Sequence, residues 1–227
     1  LPVFTSRCAC CRQPGTDLCR PCRFALASSR SSVVAGHDGP PVLAALQFEG
    51  AVRRAILGLK FANQRAVARH LAELVVRRLS TGRGIEVVPE FDVVTWAPTS
   101  SRRARRRGYD QAQVLARHVA RQLGVPCQRL LWRQHGAPQA GRGRAERLSG
   151  PSFRGRPAGA HLRVLLVDDV VTTGSTLHAA AAALRAAGVG HVTCVAVAAT
   201  PQHGVRRVGP PRTATPADRP PGRLDAA

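Results

Sequence analysis

An unbroken apolar run that ends in two aspartates constrains the fold of this chain more than any other feature. The run is HLRVLLVDD, at residues 161–169. Continuous apolar strands are typical of parallel sheets that helices cover on both faces, because neither side of such a strand meets water. A short polar segment follows, and a helical pattern then runs from about Ser175 to Ala187, before Gly188. The stretch therefore predicts a central parallel strand that leads through a loop into a helix.

Strand-like and helix-like patterns alternate along the rest of the chain, which indicates a parallel α/β sheet. Further strands are predicted at residues 41–48, 91–98, 127–132 and 191–200. Further helices are predicted at 49–61, at 65–80 and, with Asp110 as the N-cap, at 111–123. The arginine-rich segment 100–108 is predicted to be a loop, 136–160 a mobile loop, and 28–41 a linker or a weak hairpin.

Composition changes at both ends of this α/β region, and we expect three parts. Residues 1–30 are rich in cysteine and too short to fold by burying apolar surface. Residues 31–200 form the α/β domain. Residues 201–227 are rich in proline and arginine, a composition typical of a disordered tail.

The formal charge of the chain is +21, from 34 basic and 13 acidic residues. Such a protein attracts polyanions, whether phosphate metabolites, nucleic acid or anionic lipid. The alternative is a basic proteome in which most of the arginines are simply solvated. No run of about eighteen or more apolar residues occurs, so the sequence predicts no membrane span.

The acidic pair and the small polar residues after it predict a sugar-phosphate site. Ligands of open parallel sheets bind beyond the carboxyl ends of the strands, where Asp168 and Asp169 are expected. Two carboxylates suit a diol, because they only accept hydrogen bonds. The candidate phosphate-binding residues lie in the next turn and at the start of the helix: Val171, Thr172, Thr173, Gly174, Ser175 and Thr176. The alternative is a capped helix preceded by solvated aspartates.

The stretch VLLVDDVVTTGST, at 164–176, resembles the signature of type I phosphoribosyltransferases, which bind 5-phosphoribosyl 1-pyrophosphate (PRPP). The resemblance implies that the acidic pair contacts the ribose hydroxyls and that the following loop holds the 5-phosphate. It also implies Mg²⁺, which enters with PRPP and is bound mainly by ligand oxygens. The expected fold is thus a parallel-sheet type I phosphoribosyltransferase fold with a small N-terminal zinc-binding element and a disordered C-terminal tail.

The arginine-rich segment is a candidate site for the pyrophosphate of PRPP. Arg105, Arg106 and Arg107 follow a predicted strand and could stabilise the charge on a leaving group. The alternatives are a solvated basic loop or a patch that touches a nucleic-acid backbone. The string RRRGYDQA resembles the hallmark of the ComF family, bacterial competence-associated proteins with a phosphoribosyltransferase domain, although Asp110 stands where that family usually has Asn. The LKF at 59–61 resembles a second ComF motif.

Four of the seven cysteines form two CxxC pairs, which predict a structural Zn²⁺ site. The candidate ligands are Cys8, Cys11, Cys19 and Cys22, placed in two hairpin turns. The alternative is a pair of disulfides, which requires an oxidising compartment. Cys10 either replaces a neighbour as ligand or is a free thiol. This pattern also resembles the ComF family, whose members typically begin with a four-cysteine zinc element.

Two functions follow from these patterns. The first is a phosphoribosyltransferase that uses PRPP and Mg²⁺, with Asp168 and Asp169 as catalytic residues. The second is a non-catalytic module that binds PRPP or a related sugar phosphate within a competence DNA-uptake system. There its basic surface would contact single-stranded DNA and its partners would be other competence proteins. Either function is expected in the bacterial cytoplasm.

Overall fold

The computed structural model describes residues 6–34, 39–81, 90–134, 151–201 and 206–208. Within these residues the chain forms six helices and eight strands. The helices are α1 (Arg20–Ala27), α2 (Gly50–Phe61), α3 (Val67–Thr81), α4 (Ser101–Arg107), α5 (Gln111–Leu123) and α6 (Ser175–Ala186). The strands are β1 (Ser31–Val34), β2 (Val42–Gln47), β3 (Val93–Trp96), β4 (Leu131–Arg133), β5 (Phe153–Gly155), β6 (Arg163–Val171), β7 (His191–Ala199) and β8 (Arg206–Val208).

Six strands form one sheet in the order β3-β6-β7-β2-β1-β8. The four strands from β3 to β2 pair in parallel, as the sequence predicts, and β6 is central among them. The edge is antiparallel, because β1 pairs with β2 in a hairpin and β8 pairs with β1. The sequence predicts a linker or a weak hairpin at 28–41, and the structure contains the hairpin. The sheet is therefore parallel where the predicted site lies and antiparallel at one edge.

Side chains that alternate along β6 fill two separate hydrophobic clusters, one on each face of the sheet. Leu165 and Val167 belong to the cluster that contains α2, α3 and α5. Val164 and Leu166 belong to the other, with α6 and the β4–β5 hairpin. All four side chains are inaccessible to solvent, which explains why the run is apolar at every position. The prediction of a strand covered on both faces is confirmed.

Two of the predicted loops contain regular structure. The prediction of a loop at 100–108 is wrong, because Ser101–Arg107 is the helix α4. None of its residues is buried, so the arginines keep their hydration, and arginine is a good helix former. Gly108 ends the helix with a φ of +76°. The prediction of a mobile loop over 136–160 is wrong at Phe153–Gly155, which form β5, while residues 135–150 lie outside the described part.

Three smaller differences concern the ends of elements. The strand predicted at 127–132 begins only at Leu131, although Cys127 makes an isolated bridge to Val94. Within the tail predicted to be disordered, Arg206–Val208 form β8 against β1. Residues 202–205 and 209–227 lie outside the described residues.

Candidate functional site

The acidic pair lies at the carboxyl edge of the sheet, inside a strand that is longer than the sequence indicates. The sequence predicts that the strand ends at Val167, but β6 continues to Val171 because β7 remains paired with it as far as Ala199. On its other side, β3 ends opposite Val167. Asp168 and Asp169 therefore lie in the part of β6 that extends beyond the end of β3. There β6 is paired with β7 on one side only.

Asp169 is buried and forms an ion pair with the only lysine of the chain. Its residue is 5% exposed, and its Oδ1 lies 3.0 Å from Nζ of Lys60. Its second oxygen, Oδ2, is buried without a hydrogen-bond partner among the described residues. A buried carboxylate oxygen without a partner is costly, so a donor brought by a ligand would stabilise the site.

Asp168 is the more accessible of the two carboxylates. Its Oδ1 accepts a hydrogen bond of 2.7 Å from the backbone N–H of Asp169, and its side chain lines the open cleft described below. Burial and then the nearby charge of Asp169 raise the pKa of Asp168 above its usual value. Asp168 is therefore a carboxylate whose ionised form benefits from donors such as hydroxyls.

Lys60 is held in place by the residues around it. It lies in the last turn of α2, and the hydroxyl of Tyr109 donates a hydrogen bond to the carbonyl of the preceding residue, Leu59. The guanidinium of Arg65 lies 4.2 Å from the centre of the Tyr109 ring. In the sequence, Lys60 stands out only as part of a family motif, and its pairing with Asp169 was not predicted. A single lysine in a chain with 34 basic residues was the available signal.

A cleft of about 170 Å³ opens above the acidic pair, and we call it the acidic-pair cleft. Basic side chains from three elements face the two aspartates across it. Its lining comprises Lys60, Ala97, Pro98, Thr99, Arg103, Arg107, Gln111, Arg133, Asp168, Asp169, Val170 and Thr176. The structure thus brings together carboxylates and guanidinium groups, which is the arrangement that a sugar with attached phosphates requires.

Only one of the three arginines predicted for pyrophosphate lines this cleft. Arg107 does, and its Nη1 donates to Oε1 of Gln111 over 2.7 Å while its guanidinium lies 4.9 Å from the centre of the Phe61 ring. Arg103 and Arg133 also line the cleft, and the sequence analysis did not single them out. Once 101–107 is known to be a helix, Arg103 is expected on the same side as Arg107, four residues along.

A second cleft of about 410 Å³ adjoins the first, and we call it the arginine cleft. It is lined by Ser100, Arg102, Arg103, Arg106, Arg107 and Arg133. Arg106, predicted to bind pyrophosphate, lies here rather than in the acidic-pair cleft. Arg105, the third of the predicted arginines, lines neither cleft.

Asp110 holds the loop after β3, whose residues Thr99 and Ser100 line the two clefts. It caps α5 as predicted, with its Oδ1 accepting from the N–H of Ala112 at 3.0 Å. Its other oxygen accepts from the N–H of Thr99 at 2.9 Å, which ties the loop after β3 to the start of α5. Burial raises the pKa of Asp110, and the charge of Asp169 adds to the effect. Both oxygens of Asp110 therefore accept backbone hydrogen bonds, one from the loop and one from the start of α5.

The predicted phosphate loop connects β6 to the N-terminus of α6. Gly174 adopts a φ of +85°, and a Cβ there would come within 2.7 Å of the His178 ring, so the turn requires glycine. The N–H of Ser175 lies 3.4 Å from Oγ1 of Thr173. A concavity of about 20 Å³ at this turn shares Asp168, Val170 and Thr176 with the acidic-pair cleft. The loop and the cleft thus form one continuous surface.

The four predicted zinc ligands lie together. Their sulfur atoms are all within 4.8 Å of one another, and the two in Cys11 and Cys19 are 3.5 Å apart. A tetrahedral zinc site with Zn–S bonds of about 2.3 Å places its sulfur atoms roughly 3.8 Å apart, so these thiols fit Zn²⁺. None of the cysteines is in a disulfide.

The backbone around Cys8 favours its thiolate form. Burial raises the pKa of Cys8, but hydrogen bonds from the backbone of Cys11, Cys19 and Cys10 outweigh it and lower this pKa to about 6. The first CxxC pair lies in a hairpin closed by a bridge between Arg7 and Pro14. The prediction of a second hairpin is wrong, since Cys19 is the N-cap of α1 and Cys22 lies in its first turn.

The cysteine element packs directly on α2, the helix that carries Lys60. Cys10 is outside the group of four, and its thiol donates a weak hydrogen bond to the carbonyl of Ala51 at 3.4 Å. The side chain of Gln64, just past the helix, donates to the carbonyl of Arg7 at 3.4 Å. Several residues of the element belong to the hydrophobic cluster that contains α2 and α3: Cys8, Ala9, Cys10, Leu18 and Leu26.

Comparison with known proteins agrees with this geometry. Residues 110–215 match the phosphoribosyl transferase domain family. The chain is 32% identical over 126 residues to the DNA utilization protein YhgH of Salmonella typhi, covering 52% of this chain and 54% of that protein. It is 31% identical over 137 residues to Competence protein F of Haemophilus influenzae, covering 57% and 60%. Together these similarities support a ComF-family protein with a phosphoribosyltransferase-like domain.

The chain spans between about half and three-fifths of the length of the curated relatives it matches. Among solved structures, adenine phosphoribosyltransferase from Leishmania tarentolae is 16% identical and has a TM-score of 0.40, with 76% of this chain and 71% of that chain covered. In the part of the chain that the structure describes, no helix is both long and apolar enough to cross a membrane.

Proposed function

We propose that this protein binds PRPP together with Mg²⁺ and transfers its phosphoribosyl group to an acceptor, with release of pyrophosphate. The observation that carries the proposal is the continuous surface along the carboxyl edge of the sheet. It runs from the phosphate loop, through Asp168, to the guanidinium groups of Arg103, Arg107 and Arg133. Phosphate, diol and pyrophosphate occur in the same order in PRPP.

The phosphate loop would bind the 5-phosphate. Thr172, Thr173 and Ser175 are exposed and offer hydroxyl donors, and the first N–H groups of α6 have no partner within the helix. The helix-end field contributes only about 0.3–1 kcal/mol, so these hydrogen bonds must supply most of the affinity. Val171 and Thr176 support the loop from its two ends.

Asp168 and Asp169 would accept hydrogen bonds from the two ribose hydroxyls. Asp168 is open to the cleft, and Oδ2 of Asp169 has no protein partner among the described residues. Lys60 pairs with the other oxygen of Asp169 and so holds this carboxylate in position. Mg²⁺ bound by the oxygens of PRPP would neutralise phosphate charge, as expected of a hard cation, and Asp168 is the accessible carboxylate beside it.

In the transfer, the bond between C1 of the ribose and the pyrophosphate oxygen breaks, and pyrophosphate leaves with the electron pair. A new bond forms between C1 and the acceptor, which loses its proton. Arg103, Arg107 and Arg133 would donate to the leaving oxygens as their charge grows. Their guanidinium groups are always charged, so the same donors are present before and during the step.

Replacing Lys60 by Gln is expected to weaken PRPP binding by about tenfold or more, because Asp169 loses the cation that holds its carboxylate in position. The free energy of unfolding should also fall, since a buried carboxylate is left unpaired. Isothermal titration with PRPP and Mg²⁺, beside a thermal unfolding curve, measures both. Lys60→Arg keeps the charge and is the matched control. Unchanged affinity in Lys60→Gln would contradict a role for the ion pair in the site.

The transfer itself is tested by a pyrophosphate-release assay with PRPP, Mg²⁺ and a panel of acceptors. We expect release above the spontaneous rate with at least one acceptor. The release should disappear when Asp168 and Asp169 are both replaced by Asn. Binding of PRPP without release from any acceptor would favour the second function below.

The second candidate is a non-catalytic module that binds PRPP and contacts single-stranded DNA in a competence system. The printed names of the relatives refer to DNA utilization and competence, and the arginine cleft gives the surface a local excess of positive charge. Aromatic residues make up only 4% of the chain, so a DNA contact would be mostly electrostatic and should weaken steeply with salt.

A reduced four-cysteine site is most stable in a reducing compartment, so we propose the bacterial cytoplasm as the location and other competence proteins as partners.

A further inference from the structure

The arginine cleft is basic throughout its described lining. Ser100 and five arginines surround about 410 Å³, and no aromatic, aliphatic or acidic side chain of the described residues contributes to it. A volume of several hundred Å³ is typical of sites for small molecules. A lining of guanidinium groups suits a phosphate, whereas a nucleobase requires apolar or aromatic surface on which to lie.

The arginine cleft is continuous with the acidic-pair cleft but has residues of its own. Arg103, Arg107 and Arg133 line both clefts, so a group in one lies next to a group in the other. Arg102 and Arg106 line only the arginine cleft. The space beyond the proposed pyrophosphate site therefore has two guanidinium groups that PRPP does not need.

The charges around the arginine cleft repel one another. Arg102 and Arg106 stand four residues apart on α4, as do Arg103 and Arg107, and like charges at this spacing destabilise a helix. Burial, and then the charge of Arg103, lower the pKa of Arg133. Among the described residues, no carboxylate lies within 4.0 Å of any of these arginines. A bound anion would relieve this repulsion.

We propose that the arginine cleft is a second phosphate site and that it holds a phosphate group of the acceptor. The inference rests on the proposed function, because it places the acceptor next to bound PRPP. The acceptor is then a small phosphate monoester, and a free nucleobase is a poor substrate. Arg102 and Arg106 are the residues that select it, while PRPP depends on the arginines shared with the acidic-pair cleft.

The test uses the full chain saturated with PRPP and Mg²⁺, so that the phosphate loop is filled, and glycerol 3-phosphate as the probe. Isothermal titration should show one further site. Arg102→Gln with Arg106→Gln should weaken the probe about tenfold or more, since two charge-assisted hydrogen bonds are lost, and leave the affinity for PRPP within about twofold. The charge-matched control is Arg117→Gln with Arg121→Gln, which also stand four residues apart on one helix. Both of these residues are exposed and line neither cleft, so probe binding should not change.

Three results would overturn the proposal. An equal loss of probe affinity in the control pair would mean general attraction to positive charge. Displacement of PRPP by the probe would mean one shared site. Binding of a single-stranded oligonucleotide that depends on Arg102 and Arg106, without binding of the probe, would mean a polymer surface. If the wild-type chain binds no PRPP, the proposed function fails on its own, and probe binding that depends on Arg102 and Arg106 still supports the phosphate site.

Discussion

Replacing Asp168 and Asp169 together by Asn is expected to abolish PRPP binding and to leave the fold intact. Each carboxylate would lose a charge-assisted hydrogen bond to a ribose hydroxyl, worth about 1.5–3 kcal/mol, so the affinity should fall at least about a hundredfold. Asn has the same shape as Asp, so packing within β6 is preserved. Isothermal titration measures the affinity, and circular dichroism with a thermal unfolding curve measures the fold.

The ligand-free variant should be about as stable as the wild type at neutral pH. Burial and the charge of Asp169 raise the pKa of Asp168, so the folded state binds that proton more tightly than the unfolded chain does. Ionised Asp168 therefore costs stability above its folded pKa, and Asn removes this cost. The loss of the Lys60–Asp169 pair acts in the opposite direction.

The matched control is Glu90→Gln with Asp92→Asn. These two carboxylates bind Arg163, the first residue of β6, at the end of the strand opposite to the acidic pair. The control removes the same charge without touching the acidic-pair cleft, so PRPP affinity should be unchanged. Full PRPP affinity in the Asp168/Asp169 variant would remove the ribose assignment from both aspartates.

Removing zinc is expected to unfold the cysteine element and to destabilise α2 beneath it. Four thiolates that share a metal repel one another once the metal has left, and the element is too short to fold alone. The apolar residues of the cysteine element belong to the hydrophobic cluster that contains α2 and α3. The loss of stability should therefore extend beyond residue 22. We expect the Tm to fall by about 10 °C or more, since each kcal/mol lowers the Tm of a chain of this size by roughly 2–4 °C.

Metal removal should also weaken PRPP binding, because α2 carries Lys60 to Asp169. Chelation followed by thermal unfolding and PRPP titration measures both effects, and zinc should be present at one ion per chain. Cys10→Ala is the control variant, and it should keep the zinc because Cys10 lies outside the group of four. A chain that resists the chelator but loses stability in a reductant would contain disulfides instead.

The central strand and the helices on both sides of the sheet could be predicted because burial leaves a direct pattern in the sequence. Leu165 and Leu166 face opposite clusters, and only a doubly covered strand requires both to be apolar. The cap at Asp110 was equally readable, since capping is local. The two CxxC pairs predicted the close group of four cysteines for the same reason, although not the helix that Cys19 caps.

The parts that failed depend on tertiary contacts that no local pattern records. The segment 101–107 was predicted to be a loop because of its charge, yet it forms a helix in which no residue is buried. Which arginines line the cleft beside the aspartates follows from that helix, so Arg103 was not predicted, while Arg105 was predicted for pyrophosphate and lines neither cleft. Lys60 is 109 residues away from Asp169 in the sequence, and only the packing of α2 against the sheet brings them to 3.0 Å.

Isothermal titration of the zinc-loaded chain with PRPP in the presence of Mg²⁺ measures the proposed binding itself. We expect one site per chain, with binding that requires Mg²⁺ and is lost when Asp168 and Asp169 are replaced by Asn. Absence of binding by the folded, zinc-loaded chain would contradict the proposed function. The acidic pair would then have to be explained by its ion pair with Lys60 alone.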